Sequence, residues 1–146
     1  MPPIRYALCT YGAPVSTHST PTRPLRILLV DDDFEVSEAL AMLLRRDGHV
    51  VDCVLSGREA LDHLAANTEV DVVLTDLGMP DVNGWTVART AKDRSPAMPV
   101  VLVTGWGDDA EIEKAVERGA VDCVITKPID RRTLSAALAR VSQAAA

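Results

Sequence analysis

Aromatic side chains are scarce: one Phe, two Trp and two Tyr amount to 3 % of 146 residues. Any core must therefore be aliphatic, built from the Val, Leu, Ile and Ala that raise the apolar share to 47 %. Basic clusters are missing too. No run of Lys or Arg exceeds two residues and the net charge is −6, so the chain lacks the basic face that nucleic acid or an anionic membrane surface requires. The expectation is no nucleic acid and no membrane. No apolar stretch nears the roughly 20 residues of a spanning helix. The segment 6–15, broken by Thr10, Gly12 and Pro14, makes a poor signal peptide. Cysteine is limited to Cys9, Cys53 and Cys123, an odd number without a CxxC pair, which disfavours a disulfide framework. Cys53 and Cys123 lie in or beside strand-like segments and read as reduced, buried thiols, in keeping with a cytoplasmic location. His18, His49 and His63 lack ligand spacing to one another or to cysteine, so zinc is not expected. Neither GxGxxG nor GxxxxGKS/T follows any apolar run, which disfavours a nucleotide-binding fold.

What is present is a regular alternation. Residues 1–24 carry Pro2, Pro3, Pro14, Pro21 and Pro24 among Ser, Thr and Gly without a period, and read as a flexible tail or linker. From Leu25 onward, strand-like runs at 26–30, 49–54, 71–75, 100–104 and 123–126 alternate with helical patterns. The first helix, over 35–46, puts Val36, Leu40, Leu43 and Leu44 on one face and stops at Gly48. Ser56 and Glu59 form a capping box for the second. The third covers 85–94, Asp108 or Glu111 can cap the fourth, and Asp130 can cap the fifth. Strands and helices alternating at this length imply a parallel sheet with helices on both faces, an α/β doubly wound domain over 25–143 followed by a short tail, 144–146. Ligands of such sheets bind beyond the carboxyl ends of the strands. Those ends are Asp31 and Asp32, Ser56, Asp76, Thr104 and Lys127.

Asp31, Asp32 and Asp33 follow one apolar run directly, and Asp76 ends another. Parallel neighbours would bring these carboxylates to one crevice. Two carboxylates about 4 Å apart repel by roughly 1–4 kcal/mol at effective dielectrics of 80 to 20. Such a cluster calls for a cation, and oxygen-only ligands favour a hard one such as Mg²⁺. Each residue alone has a plainer explanation: a solvated turn for the Asp run, loop chemistry for Asp76, a strand end for Thr104, a surface Lys for Lys127. Their conjunction carries the weight.

Leu29-Val30-Asp31-Asp32, Leu74-Thr75-Asp76-Leu77-Gly78-Met79-Pro80 with Gly84, Val103-Thr104-Gly105 and Thr126-Lys127-Pro128 together resemble the receiver domain of bacterial response regulators. The resemblance implies a flavodoxin-like fold with five helices and sheet order 2-1-3-4-5. It implies that Asp76 accepts a phosphoryl group from a histidine kinase or phosphotransfer protein. Mg²⁺ would be held by Asp32, Asp76 and the Gly78 carbonyl, with Asp31 acting through water and hydrogen bonds. Thr104 and Lys127 would engage the phosphoryl oxygens, and the Lys127–Pro128 bond would be cis.

Two positions depart from the family pattern. Val124 stands where an aromatic usually swings on activation, so that readout is not carried over. Trp106 and Gly78 flank the face from which water would attack an acyl phosphate. Two competing functions remain. A Mg²⁺-dependent aspartyl phosphohydrolase would usually place an acid two residues after the nucleophile, where Gly78 stands. A pseudo-receiver would be expected to lose site residues that are intact here. Output is expected through protein contact on the fourth helix, fifth strand and fifth helix, since no helix-turn-helix fits after Val141. A monomer or weak homodimer is expected, either free-standing or as the receiver of a hybrid kinase.

Overall fold

Strands form where aliphatic and β-branched residues run without interruption. The computed structural model describes residues 23–66, 69–105 and 109–144. Most of the expected N-terminal tail, Trp106, Asp108 and residues 145–146 lie outside them. The strands are β1 (Arg26–Val30), β2 (Val50–Val54), β3 (Val72–Asp76), β4 (Val100–Thr104) and β5 (Cys123–Thr126). All pair in parallel, in the order β2-β1-β3-β4-β5. Between and after them come α1 (Phe34–Arg46), α2 (Gly57–Ala65), α3 (Gly84–Arg94), α4 (Asp109–Glu117) and α5 (Arg131–Ala144). This is the expected flavodoxin-like topology.

Alternation along each strand divides the core in two. Ile27 and Leu29 of β1 pack with Leu40 and Leu44 of α1 and with Leu134 and Leu138 of α5. Leu28 and Val30 face the other way, toward Leu64 of α2, Val87 of α3 and Ile112 of α4. β3 and β4 are buried at every residue because helices cover both faces. Burying each such aliphatic side chain contributes about 1.5–3 kcal/mol, so a Leu suffices where an aromatic is missing.

The helix starts follow the expected side-chain chemistry. Asp33 Oδ1 accepts from the Glu35 and Val36 amides at 3.0 and 3.2 Å. Ser56 Oγ accepts from the Glu59 amide at 3.1 Å, while Glu59 Oε2 accepts from Leu55 N–H, one residue before the cap, at 3.0 Å. Asp130 Oδ1 accepts from the Thr133 amide at 2.7 Å, which lowers its pKa. Asn83 caps α3 through the Thr86 amide at 3.2 Å, a cap not singled out from the sequence.

Several boundaries and faces differ from expectation. On α1 the inward stripe is Ser37, Leu40, Ala41 and Leu44, and Leu43 is only half-buried. Cys53 is a free thiol as expected but only half-buried, whereas Cys123 is buried and disulfide-bonded, so the reduced-thiol reading fails at that residue. β2 starts at Val50 and β3 at Val72, one residue later than read, and the residue before each uses its side chain as an acceptor. His49 Nδ1 accepts from Leu25 N–H at 3.0 Å, and Asp71 Oδ2 accepts from Arg26 N–H at 2.8 Å. Asp122, before β5, does the same for Val100 N–H at 2.8 Å and pairs with Lys92 at 2.6 Å. Opening amides of β1 and β4 are thus satisfied by side chains from the neighbouring strand's approach.

His49 can accept only while neutral. Burial pushes its pKa down, opposed by nearby Asp47. A depressed folded pKa means stability that is present above the unfolded value near 6.5 and is lost as pH falls through the folded one. Acidifying from about pH 7.5 to 5.5 is expected to lower the thermal midpoint, and His49→Asn, which keeps an acceptor without titrating, to flatten that dependence. An equally steep decline in His49→Asn would reject the assignment.

Candidate functional site

The sheet order makes Asp31 and Asp76 neighbours. β1 and β3 are adjacent with Val30 opposite Thr75, so the next residue of each chain emerges at the same edge. Carboxylate oxygens of Asp31, Asp32 and Asp76 lie within 4.8 Å of one another. Asp31 and Asp76 are buried and Asp32 is exposed. Lys127 leaves β5 two strands away, with β4 between. Its amide donates to the Thr104 carbonyl at 2.9 Å, and its Nζ lies 3.4 Å from Asp31 Oδ2 and 3.5 Å from Asp76 Oδ2. The Lys127–Pro128 bond is cis. Thr104 is buried at the end of β4.

One ammonium among three carboxylates leaves the cluster short of positive charge. Burial is the main cause of a raised pKa at Asp31, and the Asp76 charge adds to it. The Asp33 amide, 2.9 Å from Asp31 Oδ1, and Lys127 work in the opposite direction without cancelling the shift. The donor set is all oxygen and net anionic, which suits a hard divalent cation. Gly78, exposed in the loop just past Asp76, has open space beside it.

Gly84 belonged to the motif read from the sequence, and its physical role becomes visible here. A Cβ at that position would lie 2.3 Å from the Asp76 carbonyl oxygen and 2.8 Å from Leu77 Cα. Its amide donates to the Leu77 carbonyl at 2.9 Å, so α3 begins in backbone contact with the residue that carries the carboxylate. Val124 is buried in β5 opposite Leu102 and packs in the cluster that contains Ile112. Met79 belonged to the motif read from the sequence, whereas Val82, which with it fixes the loop beyond Asp76, was not singled out. The signal was two apolar residues spaced within a turn-rich segment.

A family profile for the response regulator receiver domain matches residues 27–139. The chain belongs to this family. The receiver domain is 38 % identical over 101 residues to the probable transcriptional regulatory protein SilR of Salmonella typhimurium, covering 69 % of this chain and 44 % of SilR. It spans about half the length of several curated relatives it matches. Among solved structures it superposes on a receiver domain protein from Clostridium thermocellum with a TM-score of 0.77 at 30 % identity, covering 82 % of this chain and 95 % of that one. TrrA of Thermotoga maritima, solved in complex with Mg²⁺-BeF, gives a TM-score of 0.71 at 25 % identity, covering 80 % and 98 %. Among the described residues of this receiver domain, no helix is long and apolar enough to cross a membrane.

The charge imbalance predicts a stability effect. A carboxyl group with a raised folded pKa favours folding when protonated, and that contribution is lost as pH rises through the folded value. Asp31→Asn should therefore raise the unfolding midpoint at pH 7 without divalent ions, with the gain shrinking toward pH 4. A lower midpoint in the variant would show that Lys127 already compensates the buried charge.

Proposed function

We propose that this receiver domain is a phosphoacceptor, with Asp76 taking a phosphoryl group from the phosphohistidine of a histidine kinase or phosphotransfer protein. Support comes chiefly from one arrangement: three carboxylates with oxygens within 4.8 Å, and the Lys127 ammonium 3.4–3.5 Å from two of them. A carboxylate oxygen of Asp76 attacks phosphorus, the P–N bond to the donor imidazole breaks, and its electron pair returns to the ring nitrogen. The product is a mixed anhydride. Carboxylate is a weak nucleophile toward an anion, so the reaction depends on positioning and charge neutralisation.

Asp32, Asp76 and the Gly78 carbonyl would hold Mg²⁺, with Asp31 acting through water and hydrogen bonds. When bound, the ion supplies the positive charge that lets two anions meet. Lys127 offsets charge on a phosphoryl oxygen once Asp76 is phosphorylated, giving up its ion pair with that carboxylate. Thr104, at the end of the adjacent strand, donates its hydroxyl proton to another phosphoryl oxygen. The domain turns over no metabolite and catalyses only its own phosphorylation and dephosphorylation. Its output runs through protein contact on the face of α4, β5 and α5, as a monomer or weak homodimer in the cytoplasm. Its own acidic surface does not bind nucleic acid.

Incubation with acetyl phosphate and Mg²⁺, read by intact mass, is expected to give one phosphoryl adduct. The adduct should disappear in Asp76→Asn and in EDTA, and should form at least about 100-fold more slowly in Lys127→Ala. An adduct that persists in Asp76→Asn would place the acceptor elsewhere.

A further inference from the structure

The loop behind Asp76 is held by contacts that the proposed chemistry does not use. Val82 N–H donates to the Pro80 carbonyl at 2.9 Å across Asp81, whose φ of 68° is a left-handed value that side-chain-bearing residues rarely adopt. Met79 and Val82, 7 % and 8 % exposed, are seated in the core with residues of α2, α3 and α4. The first residue of α2 lies against this loop. A Cβ at Gly57 would stand 2.2 Å from the Val82 carbonyl oxygen and 2.7 Å from Val82 Cβ, distances at which one backbone must move. On the far side, Gly84 makes the corresponding approach to the Asp76 carbonyl oxygen, 2.3 Å from its would-be Cβ. The acceptor loop is therefore pinched between the first turns of two helices. Its ends are anchored as well: Leu77 N–H donates to the Val103 carbonyl at 3.0 Å and Gly84 N–H to the Leu77 carbonyl at 2.9 Å. The Arg58–Asp81 pair, 3.8 Å apart and exposed on both sides, adds little.

We propose that Gly57 is a positioning residue: through its backbone approach to Val82, the first turn of α2 sets where Asp76 and Gly78 stand relative to each other. This deepens, and rests on, the reading of Asp76 and Gly78 as neighbours of a divalent ion. Gly57 touches neither phosphoryl group nor metal. It acts because a loop fixed at both ends and seated by Met79 and Val82 cannot absorb a push at Val82 without shifting elsewhere. Helix propensity alone favours Ala over Gly at this position, so a loss in Gly57→Ala reports the contact.

The test compares Gly57→Ala with Leu64→Ala. Leu64 is buried about two turns further along α2, and its truncation weakens packing without adding bulk against the loop. Measured well below both midpoints, Gly57→Ala should raise the Mg²⁺ dissociation constant in calorimetry by about tenfold and speed exchange of the Gly84 amide. Leu64→Ala should leave both near wild type. If Gly57→Ala does not fold, Val82→Ala, which keeps the loop backbone and removes the side chain seated under it, should move both readouts in the same direction. Wild-type values in Gly57→Ala or Val82→Ala, or equal changes in Leu64→Ala, would overturn the proposal. A wild-type chain that binds no Mg²⁺ would instead overturn the metal reading, and Gly84 exchange would still decide the role of Gly57.

Discussion

Repulsion among carboxylates that the sheet forces together is the interaction on which the rest of this structure turns. Asp31 and Asp76 cannot relax apart, because each is the continuation of a strand whose partner is the other's. Separating them would unpair β1 from β3 at the centre of the core. Lys127 offsets part of the charge from two strands away, and the Asp33 amide offsets a little more. What remains is carried by the aliphatic packing on both faces of the sheet. Rigidity of the core and charge at its edge are two aspects of one arrangement.

Much of this was legible in the chain. Uninterrupted aliphatic runs marked the strands, acidic and hydroxyl residues marked the caps of α2 and α5, and the five polar strand ends marked the crevice. These signals are local, or become local once sheet order is known. The contacts that could not be read join residues far apart in sequence through the backbone. Nothing in the letters around Gly57 announces that Val82 will lie against it, since a capping box explains that glycine equally well. His49 and Asp71 read as strand residues because their acceptor roles depend on which strand lies alongside. On α1, Ala41 is buried and Leu43 only half-buried, because the inward stripe follows helix geometry and not side-chain size. The disulfide at Cys123 was missed because cysteine spacing alone does not reveal pairing.

The site and its support also differ in kind. Asp32 and Gly78 are exposed at the crevice, whereas the residues that fix the loop, Met79, Val82, Gly57 and Gly84, are all buried. Side chains that would meet a ligand are backed by a layer whose contribution is shape. In that layer, two glycines matter through the absence of a side chain.

The sheet has a direction, and its two ends are finished differently. At the amino ends, His49, Asp71 and Asp122 already take up the opening amides of β1 and β4. At the carboxyl ends, charge is left over. A cation approaching from below meets hydrogen-bonding groups already engaged, while one approaching from above meets a deficit of positive charge that it can fill. Molecular traffic on this domain is thus one-ended, a polarity built into how strands begin as much as into how they finish.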